Sequence, residues 1–260
     1  MTPVLANIFP LHKQLGGVDY RVDLARTDEH KQQIYSMRYQ IFNLELGSGQ
    51  AGAIDIDKDL YDDYCDHLVV IEEASKQVVG TYRLLLLDHV KDSIGLYSAT
   101  EFDLSFIYAA NLKLVEVGRA CIDEQYRNGF VISLLWYGLG AYMQALGLEY
   151  VCGCASMNKG QSPELASQIY QLFNSHHRLV SDDLQVKPLE KNRLPGFDAD
   201  ITLFKAGNVK RQMSTLLRSY FSIGSFIGGE PAYDPDFQVI DFFVLLELAK
   251  LNKGAARFLS

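Results

Sequence analysis

Apolar and polar residues alternate along several short stretches of this 260-residue chain, and apolar residues recur every three or four positions in others. Alternation is typical of half-buried strands, whereas the wider spacing is typical of one face of a helix. The pattern predicts strands at 18–24, 67–72, 78–87, 112–122, 150–155 and 238–246. It predicts helices from Thr27 or Asp28 to about Leu46 and at 129–148, 163–173 and 209–221.

The segments between these elements are polar. The sequence predicts a loop rich in glycine and aspartate at 48–64, a short turn at 74–77 that joins two paired strands, and an irregular segment at 176–200. Helices and strands do not alternate strictly, so a mixed sheet flanked by helices is favoured over a doubly wound parallel sheet. No repeat or long polar linker divides the sequence, which predicts a single domain over 1–260.

Residues 129–148 contain no charge and are about as long as a membrane span. Ser133, Gln144, several glycines and two tyrosines dilute their apolar character. A buried core helix is therefore favoured over a membrane span. Large apolar side chains lie on one predicted face: Val131, Leu134, Leu135, Leu139, Tyr142 and Leu146.

Composition narrows the function classes. With 48% hydrophobic and 22% charged residues the chain is globular, and its net charge of −8 argues against nucleic-acid binding, which requires a positive surface. Four cysteines are too few for a disulfide scaffold and fit a reduced compartment. The first residues lack the pattern of a signal peptide. We therefore expect a soluble, cytoplasmic protein.

Charged residues inside apolar strands are the first candidates for chemistry. Arg83 lies in VVGTYRLLLL, and Glu116 and Arg119 lie in LKLVEVGRACI. Buried charges are costly unless paired, so these residues either form a structural ion pair or line a cleft. Alternation puts Glu116 and Arg119 on opposite faces of the strand unless a bulge intervenes, and Gly118 would tolerate one.

An acidic loop is the second candidate. The sequence DIDKDLYDDYCDHL places six aspartates within twelve residues, at 55, 57, 59, 62, 63 and 66. It lacks the glycine and terminal glutamate of a helix–loop–helix calcium site, and no other metal motif is found, so no metal is predicted. Most of these carboxylates are expected in solvent, while those nearest the sheet could receive an amine or hold an arginine. Cys152 and Cys154 are interpreted as buried structural thiols.

Together these residues resemble the acyl-homoserine-lactone synthases. The shared pattern is Met37-Arg38-x-x-x-Phe42, Asp59-x-x-Asp62, Gly80-x-x-Arg83-Leu84-Leu85 and Glu116-x-x-Arg119. A closer resemblance is to the N-acyltransferases that begin ornithine-lipid synthesis, through YCDHLVV, VVGTYRLL, EVGRACID, LLWYGLGAY, GCASM, HHR, LLRSYFSIGSFIG and DFFVLL. N-acyl amino acid synthases are also similar. No tryptophan follows Phe42 as it does in the lactone synthases, which weighs against a lactone product and leaves the amino-acid acceptor open.

The resemblance implies an α/β (α+β) fold of the GNAT-like acyltransferases, with a splayed, mostly antiparallel mixed sheet. Its core would span about 18–175, and an extension over about 176–260 would complete the sheet and the acyl and carrier site. The implied reaction moves a long fatty acyl group, with or without a 3-hydroxyl, from acyl carrier protein to the α-amine of an amino acid such as ornithine. No bound cofactor is implied. A signal-molecule synthase and a non-catalytic acyl-binding module are the alternatives.

The resemblance also implies residue roles. Glu116 would be the general base, and the catalytic Arg119, with Arg83, would either fix Glu116 and the acidic loop or bind the acceptor's carboxylate through two hydrogen bonds. His67, next to Asp66, is an alternative base through an Asp–His pair. The implied substrate-binding residues are Arg38, Phe42, Asp59, Asp62, Asp66, Arg83 and Cys121. The implied phosphopantetheine-binding residues are Val117, Gly118, Arg127 and Gly129.

A basic segment could bind the acidic carrier protein. Residues 185–220 hold seven Lys or Arg and three acidic residues, a net +4 within a chain of net −8. Lys210, Arg211 and Arg218 are predicted to dock the carrier or an anionic membrane surface, the latter making the protein peripheral on the inner face of the membrane. The alternative is an ordinary solvated helix face.

Overall fold

The computed structural model describes residues 3–47, 55–158, 160–202 and 204–251. Part of the predicted 48–64 loop, residues 48–54, lies outside this description. The chain divides into two compact units. Unit 1 contains residues 3–47, 55–90 and 115–148, and unit 2 contains 91–114 and the described residues from 149 to 251.

The strands of the described chain are β1 (Leu11–Leu15), β2 (Val18–Leu24), β3 (Asp66–Glu72), β4 (Val78–Leu86), β5 (Phe102–Asp103), β6 (Leu114–Ile122), β7 (Tyr150–Ser156), β8 (Lys187–Pro188), β9 (Phe226–Ile227), β10 (Ala232–Asp234) and β11 (Val239–Glu247). The α-helices are α1 (Pro3–Ile8), α2 (Asp28–Arg38), α3 (Leu87–Val90), α4 (Ser105–Ala109), α5 (Phe130–Leu146), α6 (Pro163–Ser175), α7 (Ala206–Gln212) and α8 (Thr215–Ile223). A π-helix, Tyr39–Glu45, continues from α2.

Unit 1 is built on an antiparallel sheet in the order β1-β2-β3-β4-β6. Helix α5 packs against β2, β3 and β4 on one face. At Gly138 the approach is so close that an added Cβ atom would lie 2.6 Å from Cγ1 of Val22. The predicted core helix at 129–148 is thus confirmed. None of the helices in the described part of the chain combines the length and apolar character needed to cross a membrane.

Helix α2 covers the other face of this sheet. The Thr27 side chain caps it by accepting a hydrogen bond from the His30 amide at 3.1 Å. The continuous helix predicted to about Leu46 is only partly correct, because the wider π-helix takes over after Arg38. Over seven residues the apolar spacing does not distinguish the two helix types. Apolar side chains of α2, the π-helix and the sheet form the core here: Ile34, Tyr35, Met37, Ile41, Val69, Ile71, Val78 and Cys121.

Strand β6 carries the bulge that the sequence suggested. Gly118 pairs with Arg83, and Cys121 pairs with Thr81. Between these two pairs, two residues of β6 lie opposite one residue of β4, which is a bulge. The backbone of Arg119, with φ +48°, takes the left-handed conformation inside this bulge. The bulge prediction is therefore confirmed, but the residue with the unusual conformation is Arg119 rather than Gly118.

Unit 2 contains the antiparallel strands β7, β11 and β10, with β9 also pairing with β11. Strands β5 and β8 form a separate two-stranded ladder. The single basic helix predicted at 209–221 is wrong, because α7 ends at Gln212 and α8 begins at Thr215. The break has a local cause: Ser214 has extended backbone and its hydroxyl caps α8 by accepting from the Leu217 amide at 3.2 Å.

Candidate active site

Three arginines and three aspartates meet in unit 1, and we call them the arginine–aspartate cluster: Arg38, Asp57, Asp59, Asp62, Arg83 and Arg119. Arg38 is the last residue of α2, Arg83 lies on β4, and Arg119 lies in the β6 bulge. The aspartates come from the segment that precedes β3. The predicted pairing of strand arginines with the acidic loop is therefore present, and the six formal charges sum to zero.

Arg38 is the most deeply buried member, with no exposed surface. Its Nη1 donates to Oδ1 of Asp62 at 2.7 Å, and its Nη2 donates to Oδ2 at 3.2 Å. Its Nε donates to Oδ1 of Asp57 at 2.8 Å. Paired with both carboxylates in this way, the guanidinium avoids the cost of an isolated buried charge.

Arg83 is held by a second aspartate. Its Nη1 lies 2.7 Å from each carboxylate oxygen of Asp59 and 3.5 Å from Oδ1 of Asp62. Its side chain passes beside Gly118, where an added Cβ would lie 4.0 Å from Nε. Asp62 therefore contacts both buried arginines.

A single turn of 3-10 helix, Leu60–Asp63, fixes two of the aspartates. Asp59 caps the turn by accepting from the Tyr61 amide at 2.9 Å, and Asp62 accepts from the Asp59 amide at 2.8 Å. This reciprocal capping box orients both carboxylates through backbone contacts of their own turn, in addition to their contacts with the arginines.

The cluster keeps Asp62 ionised. Burial alone would raise the pKa of Asp62, but Arg38 and Arg83 outweigh it and lower the pKa to about 2. Burial opposes charge on both arginines as well, yet Asp62 with Asp57 raises the pKa of Arg38, and Asp59 with Asp62 raises the pKa of Arg83. These charges therefore persist through the physiological range.

His67 lies directly opposite Arg83 in the β3–β4 ladder. Its Nε2 is 3.4 Å from the backbone oxygen and 3.8 Å from Oδ1 of Asp62. Burial lowers the pKa of His67, although Asp62 acts in the opposite direction. Because its pKa is lowered, the His67 imidazole that faces the cluster is neutral.

The expected Asp66–His67 pair does not form. Successive strand residues point to opposite faces, so Asp66 faces α5 and accepts a hydrogen bond from the Tyr142 hydroxyl at 2.9 Å. His67 instead faces Asp62. The structure does not place the Asp66 carboxylate, expected at the substrate, with the arginine–aspartate cluster.

Glu116 shares the face of the sheet that carries Arg83 and His67. It pairs with Leu85 on β4, two positions along from the pair of Arg83 with Gly118. The carboxylate is buried, and its charge acts on the thiol of Cys65, which precedes β3. The general-base candidate is therefore in the same row of side chains as the cluster.

Three predicted site residues lie away from the arginine–aspartate cluster. Cys121 belongs to the apolar core beneath α2, and burial raises the pKa of its thiol to about 12. Val117 pairs with Leu84, on the face opposite Glu116. Phe42 packs against the α2 core from the π-helix.

The loop before α5 carries the predicted phosphopantetheine residues Arg127 and Gly129. Gly129 has φ +91° and open space at its Cα, so its backbone is available for close approach. Arg127 forms a two-point pair with Glu45, the last residue of the π-helix, with Nη2 donating to Oε2 at 2.6 Å. Its Nε donates to the Ile122 carbonyl at 3.0 Å.

The predicted docking residues lie in unit 2. Arg211 on α7 and Arg218 on α8 are exposed. Lys210 is half-buried, with its ammonium 4.6 Å from the ring centre of Phe221. The two exposed arginines are therefore the better candidates for contact with a partner.

Asp57 is a cluster member that the sequence reasoning did not select. It accepts from Arg38, lies 3.6 Å from Nε of Arg119, and its own amide donates to the Tyr35 carbonyl at 3.0 Å. Three loop aspartates were assigned from the sequence, Asp59, Asp62 and Asp66, and Asp57 occupies the place in the cluster that had been expected for Asp66. No signal in the sequence separated these two residues.

Among the described residues, one acidic group is close enough to hold a metal ion. Ligand oxygens of Glu101, Asp234 and Asp241 in unit 2 lie within 4.8 Å of one another, and all three residues are buried. Buried carboxylates this close can also share a proton, so their proximity alone assigns no metal.

Residues 37–137 match the family described as an acetyltransferase (GNAT) domain. The structure resembles that of FeeM, an N-acyl amino acid synthase from uncultured soil microbes, with a TM-score of 0.50 over 89% of this chain and 93% of that protein, at 9% identity. This likeness concerns the fold alone. The expected GNAT-like fold, with a mixed sheet flanked by helices, is confirmed.

Proteins related in sequence have names that specify an amino-acid acceptor. The chain is 29% identical to the L-ornithine N(alpha)-acyltransferase of Brucella abortus (strain 2308), over 92% of this chain and 87% of that protein. It is 26% identical to the glycine N(alpha)-acyltransferase of Phocaeicola vulgatus, over 70% of this chain and 66% of that protein. The resemblance to amino-acid N-acyltransferases that the sequence suggested is confirmed by these matches.

Proposed function

We propose that this chain transfers a long fatty acyl group from acyl carrier protein to the α-amine of an amino acid, with ornithine as the first candidate. The product is an N-acyl amino acid, the lyso form of an aminolipid. The observation that carries the proposal is the arginine–aspartate cluster on the face of the sheet that also holds the buried Glu116. Relatives named for ornithine and for glycine support an amino-acid acceptor.

The reaction requires a neutral amine and a polarised thioester. The amine nitrogen attacks the thioester carbonyl, a C–N bond forms, the C–S bond breaks, and the phosphopantetheine sulfur leaves as a thiol. One proton must leave the acceptor's ammonium before attack. A buried carboxylate suits that role, because burial moves its pKa towards neutrality.

Glu116 is the base that we favour over His67. His67 is 2% exposed, and its Nε2 already lies near the Asp62 carbonyl. The carboxylate that it faces is that of Asp62 rather than Asp66, and this carboxylate already accepts hydrogen bonds from Arg38 and Arg83. Glu116 is the remaining candidate base on this face of the sheet. His67 is then a neutral side chain that packs beside Asp62.

The donor would approach the loop before α5. Gly129 lets a phosphate come close to the backbone, and the start of a 17-residue helix favours an anion. Arg127 adds a guanidinium beside it. Such a site suits the single phosphate of a phosphopantetheine arm, which favours a carrier-protein donor.

The carrier would dock on the basic helices of unit 2. Carrier proteins are acidic, so Arg211 and Arg218 offer charge complementarity within an acidic chain. Charge reversal of both should raise the KM for acyl carrier protein at least tenfold. The control is the double change Lys76→Glu and Lys113→Glu, which makes the same charge change at two exposed lysines elsewhere and should not raise the KM. An unchanged KM would remove this surface from the proposal, and lost binding to anionic vesicles instead would assign it to the membrane.

Mass spectrometry of lipids from cells that express the chain tests the reaction. A new N-acyl amino acid supports the proposal, and its mass identifies acceptor, acyl length and hydroxylation together. Glu116→Gln should abolish the product, whereas the matched Glu149→Gln change at an exposed glutamate should not. An acylated lactone would favour signal synthesis, and no product from the folded protein would favour an acyl-binding module.

A further inference from the structure

A second group of charged side chains surrounds the ring of Phe221 in unit 2, and we call it the Phe221 cluster: His176, Arg178, Lys210 and Phe221. The guanidinium carbon of Arg178 lies 4.8 Å from the ring centre, and the ammonium of Lys210 lies 4.6 Å from it. The ring of His176 lies nearly perpendicular to the ring of Phe221, with 5.1 Å between the two centres. These residues come from the end of α6, from α7 and from α8, so the tertiary fold of unit 2 brings them together.

The end of α6 directs the HHR segment at 176–178 towards this ring. His177 has φ +55°, a left-handed conformation that glycine usually adopts after a helix and that costs other residues about 1 kcal/mol or more. The amide of His177 donates to the Asn174 carbonyl at 2.9 Å, and the amide of Arg178 donates to the Phe173 carbonyl at 3.0 Å. The Nη1 atom of Arg178 donates to the backbone oxygen of Phe221. The turn therefore fixes the Arg178 guanidinium beside α8.

Carboxylates do not neutralise the Phe221 cluster. In the described part of the chain, neither Arg178 nor Lys210 forms an ion pair, although the whole chain carries a net charge of −8. The two cations are no further apart than their two distances to the ring centre added together, which is within the Debye length of about 10 Å at 0.1 M salt. They therefore repel each other, and burial also opposes the charge of Arg178 and lowers its pKa. A bound anion would relieve both costs.

A phosphate group is the anion that suits this arrangement. A guanidinium binds oxyanions through two parallel N–H groups, and an ammonium binds them as a point charge. Phosphate has enough oxygen atoms to accept from both cations, whereas a carboxylate would use both of its oxygens on the arginine. We propose that Arg178 and Lys210 bind a phosphate group beside the ring of Phe221. Both cations are half-buried and His176 is exposed, so the site is reached from solvent.

This site is separate from those of the acyl transfer. The donor phosphate is proposed to bind near Gly129 in unit 1, and the exposed Arg211 and Arg218 are proposed to contact the carrier protein. A soluble phosphate monoester or the headgroup of a membrane phospholipid could supply the phosphate group of the Phe221 cluster. Its binding requires no turnover, so the test does not depend on the proposed function.

Calorimetric titration of the full chain with inorganic phosphate, with chloride replaced to keep the ionic strength constant, tests the site. Wild type should bind phosphate, and Arg178→Gln and Lys210→Gln should each weaken the binding about tenfold or more, the range for losing one charged hydrogen bond. Arg178→Lys should recover part of the loss. The control is Arg193→Gln at an exposed arginine of unit 2, which should bind phosphate as wild type does. Absence of phosphate binding by wild type, or unchanged binding in both glutamine variants, would overturn the proposal.

Thermal denaturation in chloride checks that each variant folds. Arg178→Gln removes the contact with the Phe221 backbone, so Lys210→Gln, which leaves that contact in place, decides the test if Arg178→Gln does not fold.

Vesicles identify the source of the phosphate group. If a lipid headgroup binds, wild type should sediment with phosphatidylcholine vesicles that contain phosphatidic acid and not with pure phosphatidylcholine. Inorganic phosphate should then release the protein, and Lys210→Gln should reduce its sedimentation. Binding of inorganic phosphate without binding to the vesicles supports the site with a soluble phosphate monoester as its ligand. Vesicle binding that neither inorganic phosphate nor Lys210→Gln reduces would exclude the lipid as the ligand of this site.

Discussion

Arg38 and Asp62 form a two-point ion pair in which neither side chain has any exposed surface. Breaking such a pair from one side leaves an uncompensated buried charge. We therefore expect Asp62→Asn to lower the free energy of unfolding by about 3–5 kcal/mol, measured by chemical denaturation. The exposed Asp63→Asn change next to it is the control and should stay within about 1 kcal/mol.

The same pair should make stability depend on acidity. The pKa of Asp62 in the folded protein, about 2, lies below its ordinary value, so its contribution is complete above about pH 4 and is lost as the pH falls towards 2. The loss should be about 2 kcal/mol. Denaturation of wild type and Asp62→Asn across this range isolates it, because only wild type should show this part of the slope. Parallel curves would contradict the assigned pKa.

The cysteines near the site should react slowly with thiol reagents. Burial raises the pKa of both Cys65 and Cys121 to about 12, so at pH 8 only about one thiol in 10⁴ is ionised. In the folded protein, labelling of the half-buried Cys65 should be orders of magnitude slower than in guanidinium, where all four cysteines react. Rapid labelling of Cys65 at pH 8 would contradict this and would reopen a thiolate role at the site.

The sequence was sufficient for most long elements and for five of the six members of the cluster. Strand alternation located β2, β3, β4, β6, β7 and β11 to within two residues, because each buries one face or both against a neighbour. The charged residues in apolar strands pointed to the site because burial requires them to be paired. Short elements such as α1 and β1 were not found, since five or six residues give too little periodicity.

Details that depend on three-dimensional register were not predictable. The sequence neighbours Asp66 and His67 suggested a pair, yet their alternation on β3 separates them. Asp57 was missed because its partners lie 19 and 62 positions away, on α2 and in the β6 bulge. Both errors share one cause: the acidic loop has no periodicity of its own, so the sheet decides which carboxylates face the arginines.

Glycine positions on α5 and α7 give a matched test of packing. A methyl group at Gly138 would meet Val22 at 2.6 Å and Leu68 at 2.9 Å, whereas one at Gly207 would meet nothing within 4 Å. Gly138→Ala should therefore destabilise the protein by about 1–3 kcal/mol in thermal or chemical denaturation. Gly207→Ala should be neutral or stabilising by up to about 1 kcal/mol, because alanine is the better helix former. Equal effects would show that α5 can move away from the sheet.

The ion pair between Arg127 and Glu45 predicts that its removal improves donor binding, whereas removal of an ordinary structural contact is expected to impair function. Under the proposed function, the donor phosphate binds near Arg127, where the Glu45 carboxylate now occupies the guanidinium. Glu45 is then a competitor of the donor. An exposed ion pair contributes about 0.2–1 kcal/mol, so its removal can strengthen phosphate binding up to about fivefold. Glu45→Gln should therefore lower the KM for the acyl donor by up to about fivefold without changing kcat.

The KM is expected to fall because Arg127 keeps its charge in Glu45→Gln, while the carboxylate that competes with the donor phosphate for it is removed. Arg127→Gln should raise the same KM, because the guanidinium itself is lost. Glu149→Gln, which removes an exposed ion pair with Lys113, is the control and should leave the KM unchanged. A higher KM in Glu45→Gln would mean that Glu45 holds Arg127 in its binding position. In that case the contact between the π-helix and the loop before α5 would be part of the donor site, and the carboxylate would assist phosphate binding rather than oppose it.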